Sequence, residues 1–166
     1  MSVREVRSIG DEILKKKSKE VVELNERLKT LIVDMKDTMK LKGGCGLAAC
    51  QVGVLRRIII IWPDEKDEII TLINPKIISK SDDVNVDAEG CLSVEGKVAK
   101  VERPNEIKVA ALDENMNKIE FEATGLKARI ICHEIDHLEG ILYVEKAVPG
   151  TIKDIRDEGE DSIENE

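Results

Sequence analysis

Apolar positions recur along this 166-residue chain in patterns that predict most of its elements. Leu28, Leu31, Ile32, Met35 and Met39 return at helical spacing. Asn25 precedes them as an N-cap, Glu26 sits in the first turn, and Gly43-Gly44 follows, so a helix is predicted over about 26–41. Arg57 to Trp62 is a β-branched run that predicts a buried strand, ended by Pro63-Asp64. Ile69 to Ile73 reads as a second strand closed by Asn74-Pro75, and Lys76 to Lys80 as a third. Lys97 to Val101 alternates polar and apolar residues, as a half-buried strand does, and Arg103-Pro104-Asn105 is expected to turn the chain. Ile107 to Leu112 and Lys118 to Ala123 predict a hairpin.

Other stretches break these patterns. Residues 1–24 read as irregular, with one helical turn after Gly10-Asp11. Gly44 to Gly53 (GCGLAACQVG) is too rich in small residues for a strand and suits close approach of backbone to another element or a ligand. A final helix is predicted from Thr124-Gly125 to about Leu138, stopped by Gly140, with Tyr143 to Val148 passing over the surface. Helix, many strands, helix is an α+β order with mainly antiparallel sheet.

The final helix carries the chemistry. It reads His133-Glu134-Ile135-Asp136-His137 and holds both histidines of the chain. Residues four apart share a helix face, so the two rings can grip one metal ion with Glu134 beside it as proton carrier. On a wheel of about 100° per residue, His133 and His137 fall with Leu126 and Ile130, and Glu134 falls between Ile130 and Leu138. All three polar groups therefore point inward. Arg129, Cys132, Asp136 and Glu139 form the opposite face, expected to be the outer one. One inward histidine is commonly a satisfied core residue; two with an inward glutamate between them point to a metal. A third protein ligand is needed. Glu139, Glu145 and the acidic end lie downstream; Cys132 is turned away from His133. Cys91, in a glycine-flanked segment, is the favoured candidate, since a thiolate is a strong ligand.

Composition narrows the classes. Aromatic residues make up only 2% of the chain (Trp62, Phe121, Tyr143), so the core must be aliphatic and base-stacking on nucleic acid is not expected. The net charge is −8, from 26 basic and 34 acidic residues. Asp154 to Glu166 hold seven of the acids and one base, which leaves a nearly neutral body and predicts a flexible acidic tail. No apolar run is long enough for a bilayer and no leader is recognisable, so the protein is expected in the cytoplasm without membrane contact, its four cysteines free of a disulfide framework.

Three segments, in order, resemble the motifs of one family. Gly44-Cys45-Gly46-Leu47-Ala48-Ala49-Cys50-Gln51, Glu89-Gly90-Cys91-Leu92-Ser93 and His133-Glu134-Ile135-Asp136-His137 are similar to those of peptide deformylases, metallohydrolases of bacteria and organelles. The likeness runs from about residue 2 to Glu145. It implies an α+β fold in which mainly antiparallel sheets surround the metal-binding C-terminal helix, with the N-terminal helix packed outside. Residues 1–148 would be one catalytic domain and 149–166 the tail. It implies removal of the N-formyl group from formylmethionyl nascent peptides, with formate released. Cys91, His133 and His137 would hold the metal, with water as fourth ligand; Fe²⁺ is favoured, with Ni²⁺, Co²⁺ or Zn²⁺ as substitutes. Glu134 would be the general acid/base. The Gln51 side-chain amide and the Leu92 backbone N–H would stabilise the oxyanion. Leu126 and Ile130 would line a methionine pocket, and the backbone of Cys45-Gly46 would pair with the substrate. Glu89 and Arg103 match residues that pair to brace the cysteine loop, and Glu89 is also counted with Cys45, Gly46, Leu126 and Ile130 among the substrate-binding residues.

Cys45 replaces a branched aliphatic residue and Glu95 a proline of the family pattern. Some relatives dock on the ribosome near the exit tunnel through a basic C-terminal helix; the acidic end here disfavours that mode. Two other classes compete: a zinc endopeptidase-like amide hydrolase, which would not need Cys91, and a non-catalytic metal-stabilised domain.

Overall fold

The computed structural model describes residues 2–155. Its centre is the isoleucine run, for Ile58, Ile59, Ile60 and Ile61 are all fully buried. Alternate residues of a strand point to opposite faces, and here each face meets a helix. Ile58 and Ile60 pack with Leu31, Ile32, Met35 and Met39, whereas Ile59 and Ile61 pack with Ile130, Ile131 and Leu138. The run is continuous because both faces are covered.

The elements are α1 (Glu26–Lys42), β1 (Gly46–Ala48), β2 (Ile58–Ile61), β3 (Ile70–Lys80), β4 (Val84–Cys91), β5 (Val94–Pro104), β6 (Glu106–Leu112), β7 (Lys118–Thr124), α2 (Gly125–Leu138) and β8 (Lys153–Asp154). They build a five-stranded sheet of order β1-β2-β3-β6-β7 and a three-stranded sheet of order β4-β5-β8. The pairings are antiparallel. The α+β class stands, and among the described residues no helix is long and apolar enough to cross a membrane.

The helix signals act as read. The Asn25 side chain accepts from the Leu28 N–H at 3.0 Å, and Gly43 closes α1 in the left-handed region. Gly140 (φ 77°) follows α2, and a Cβ there would lie 2.4 Å from the Lys15 carbonyl oxygen. The N-terminal segment is thus seated on the end of α2. There the Ser18 N–H bonds the Leu138 carbonyl at 2.8 Å, and Arg57 bonds that carbonyl at 3.3 Å and Glu139 at 2.6 Å. The helix end is satisfied by partners distant in sequence.

Four expectations are corrected. The second and third predicted strands are one, β3. Asn74 takes a positive φ of 50° and its side chain makes two 2.8 Å bonds to the Val21 backbone, so the register shifts past Pro75 without ending the strand. Arg103 and Pro104 lie inside β5; the turn comes after them. Gly46–Ala48 is a strand after all, followed by a short 3-10 turn over Ala49–Val52. Tyr143 is buried, because its hydroxyl donates to the Lys97 carbonyl at 2.9 Å and its ring stacks on His133. Of the expected tail, Lys153 and Asp154 pair with Val98 and Lys97, and 156–166 lie outside the described residues.

Candidate metal centre

Helix α2 brings the two histidine rings to 5.1 Å between centroids. Strand β4 delivers Cys91 at its end, where the β4–β5 register shifts. The Cys91 Sγ lies 3.3 Å from His137 Nε2, and one donor atom each of Cys91, His133 and His137 falls within 4.8 Å of the others. His133 Nδ1 is engaged by Glu89 Oε1 at 2.9 Å, which leaves Nε2 for a ligand. A carboxylate behind a metal-binding imidazole fixes its tautomer and its aim. A thiol and two imidazoles, two of the three buried and one so braced, fit a divalent transition metal.

Glu134 faces the same space. Its Oε1 is 3.9 Å from His133 Nε2, and its Oε2 is buried without a partner. Burial raises its pKa to about 7, with the His133 charge opposing. That suits a group that takes and returns a proton near neutral pH. Gly46 makes room for it: a Cβ there would stand 2.9 Å from Glu134 Oε1 and 3.0 Å from Ile130 Cγ2. This close approach explains why so small-residue a stretch holds β1. Gln51 is locked nearby, its Oε1 accepting from the Ala48 N–H at 2.9 Å. Its Nε2 donates to Ser93 Oγ at 3.0 Å and reaches Cys91 Sγ at 3.5 Å.

A cleft of about 640 Å³ opens over these groups, lined among others by Gly44–Gly46, Glu89–Leu92, Leu126, Ile130, His133 and Glu134. Behind the centre, burial would raise the Glu89 pKa, but hydrogen bonds from His133 and Arg103 outweigh it and hold the value at about 2. His137 is pushed well below the ordinary histidine value by burial, which favours the neutral, ligating form.

The polypeptide deformylase family model matches residues 3–152. This chain belongs to the peptide deformylase family. It is 50% identical over 165 residues to the peptide deformylase of Lachnoclostridium phytofermentans, covering 99% of this chain and 100% of that one. It is 48% identical to that of Thermoanaerobacter pseudethanolicus over 89% of this chain and 91% of the relative. The crystal structure of the Thermotoga maritima peptide deformylase superposes with a TM-score of 0.87 at 34% identity, covering 90% of this chain and all of that one. The Synechococcus elongatus enzyme, solved in complex with actinonin, gives 0.85 at 38% identity over 89% of this chain and 80% of that one. Peptide deformylases are metal-dependent hydrolases that remove the N-formyl group from N-terminal formylmethionine, and this chain is one of these enzymes.

Every residue singled out from the deformylase motifs lies at this cleft or beneath it. Leu126 is 58% exposed at the mouth, Ile130 is buried, and Cys45 is exposed just before β1, which borders the opening. Leu92 lines the cleft, packed against Gly44. The face of α2 expected to meet solvent does so only toward its C-terminal end: Arg129 and Cys132 are each only 5% exposed, whereas the Glu139 side chain is 36% exposed. The three-stranded sheet covers that side, a layer no helical wheel can register. Arg129 was therefore missed, and Ser93, though inside the second motif, carried no role until its bond to Gln51 was seen. The N-terminal segment was missed too: the Arg7 N–H donates to the Gln51 carbonyl at 2.7 Å and the Ile9 N–H to the Ser93 carbonyl at 2.8 Å. These are backbone bonds, and no residue type announces them.

Proposed function

We propose that Cys91, His133 and His137 hold the divalent ion of this deformylase, with Fe²⁺ the ion in the cell and Ni²⁺, Co²⁺ or Zn²⁺ able to replace it. The observation that carries this reading is the convergence of three donor atoms beside a buried, unpartnered carboxylate. A bound ion supplies Lewis-acid polarisation and a more acidic water. Glu134 takes the proton of the attacking water and returns it to the leaving amine, so formate and a free N-terminal methionine result. The Gln51 amide, held by Ala48 and Ser93, and the Leu92 N–H donate to the oxygen on which negative charge develops. Leu126 and Ile130 receive the methionine side chain. The open edge of β1 at Cys45-Gly46 pairs with the peptide backbone, and Glu89 supports the site through His133.

In this reading residues 1–148 form one catalytic domain. The enzyme meets nascent formylmethionyl chains in the bacterial cytoplasm. The acidic residues of 154–166 argue against docking on ribosomal RNA through the C-terminus.

The test is formate release from a formyl-Met tripeptide by anaerobically metal-loaded protein. Glu134→Gln should keep the ion and lose about 10²–10⁴-fold in kcat. Cys91→Ala should lose the ion itself. Full metal occupancy without Cys91, or activity without Glu134, would refute the assignment.

A further inference from the structure

Arg129 is a buried cation that the chemistry so far does not use. It lies on α2 one turn before His133, and its guanidinium reaches across to the second sheet. Its Nη1 is 2.6 Å from Glu89 Oε2, 2.8 Å from the Val101 carbonyl and 3.4 Å from the Asp87 carbonyl. Its Nη2 is 2.6 Å from Asn85 Oδ1 and 3.2 Å from the Asn85 carbonyl.

Glu89 is the meeting point. Its Oε2 accepts from Arg103 Nε at 2.9 Å and from Arg129. Its Oε1 accepts from Arg103 Nη2 at 3.0 Å and engages His133 Nδ1 at 2.9 Å. A carboxylate has about four acceptor positions, and all four are filled. Arg103 is itself shared with Asp136, at 2.6 Å. Its hold leads outward, because Asp136 also pairs with the half-exposed Lys146. The hold of Arg129 leads instead to strand carbonyls of β4 and β5, which cannot swing. Arg103 and Arg129 face Glu89 and Asp136, so the buried group is balanced in charge. Its removal would leave an excess negative charge and one free corner on Glu89.

We infer that Arg129 is a positioning residue of the metal centre: it anchors Glu89 to the β4–β5 backbone and so keeps the His133 ring aimed at the ligand site. This rests on the metal assignment above. Arg129 borders the cleft, but its guanidinium is engaged by Glu89 and the strands, so it acts through Glu89. A planar donor with two forked nitrogens is required, since an ammonium cannot span a carboxylate and two strands at once.

The experiment uses the full chain with Arg129→Met and Arg129→Lys, each loaded with Co²⁺. Three readouts are followed: the visible spectrum of the Co²⁺ centre, the rate at which a chelator strips the ion, and formate release. In the Met variant the Co²⁺ bands should shift and the ion should be lost about 10–100-fold faster, as for other partners behind a metal ligand. Its kcat should fall with KM for formyl-Met peptide unchanged. The Lys variant should fall between. A variant that melts lower yet keeps the wild-type spectrum and stripping rate overturns the inference and leaves Arg129 a strand brace. If the Met variant does not fold, the Lys variant decides, and one indistinguishable from wild type overturns it. Wild-type protein that binds no Co²⁺ and releases no formate removes the metal assignment itself, and this inference with it.

Discussion

Helix α2 has two neighbours, and they treat it differently. Toward the five-stranded sheet it presents Ala128, Ile131 and Leu138 to Ile59, Ile61 and Leu72. That contact is aliphatic, non-directional, and proportional to the area removed from water. Toward β4 and β5 it presents Arg129, His133 and Asp136 to Glu89 and Arg103, through bonds of 2.6–2.9 Å. Those contacts are directional and fail abruptly when one partner goes. The first side determines that the helix stays; the second determines where its histidines aim. A buried ion network seldom adds net stability, so beside the proposed ligands its role is read as geometric control.

Glu89→Ala gives the sharpest break. It leaves Arg129 buried without a carboxylate partner and Arg103 with Asp136 alone, a loss on the order of 3–5 kcal/mol in denaturant unfolding. Metal retention should collapse with it, because His133 loses its partner. Ile59→Ala, on the other side, should cost about 2–5 kcal/mol through its cavity. It should leave chelator stripping rates and KM near wild type at temperatures where it is folded. If Ile59→Ala disturbed the metal as much as Glu89→Ala, the two sides would not be separable.

The apolar side was the more legible in sequence. The β-branched run and the α1 spacing signal burial by side-chain type alone, and the hairpin of β6 and β7 follows from alternation and its turn. The candidate ligands were legible too, because two histidines at helical spacing and a cysteine between small residues are chemically unusual. The polar side was not. Arg129 and Cys132 carry surface-like or neutral character on a wheel, and only the second sheet makes them interior. Gly46–Ala48 could not be read as a strand because its reason is the space that Glu134 needs, which lies 88 residues away. Asn74-Pro75 signals a stop in most chains; here a side-chain clamp on Val21 carries the strand through.

Glu134 sharpens the contrast from within the polar side, because it is directed into the site but lacks the ion pairs that Glu89 enjoys. Its pKa of about 7, against the ordinary glutamate value of 4.5, reflects that exposure to low dielectric. The folded state holds a proton that the unfolded state has already released between these values. A carboxyl raised in this way costs nothing below about pH 4.5 and destabilises increasingly up to about pH 7. Metal-free Glu134→Gln should therefore be more stable than wild type above pH 7, by roughly 3 kcal/mol, with the difference vanishing near pH 4.5. Chemical denaturation of both proteins across that range measures it. A difference that stayed constant from pH 4.5 to above 7 would show that the Glu134 carboxyl is not raised by its burial.

Lys146→Ala is the smallest expected change and tests how far the network reaches. Lys146 bonds Asp136 Oδ1 at 3.0 Å, but its side chain is 44% exposed, whereas Arg103 is almost wholly buried. An exposed ammonium is screened and contributes at most a few tenths of a kcal/mol. Asp136 keeps its 2.6 Å bond to Arg103 whether or not Lys146 is present. Thermal unfolding should thus shift by less than about 0.5 kcal/mol, and chelator stripping of the loaded enzyme should match wild type. A faster loss of metal in this variant would mean that Asp136 cannot hold Arg103 alone. The ordering of Glu89 would then begin at the surface, and the polar side of α2 would be one cooperative unit from Lys146 to His133.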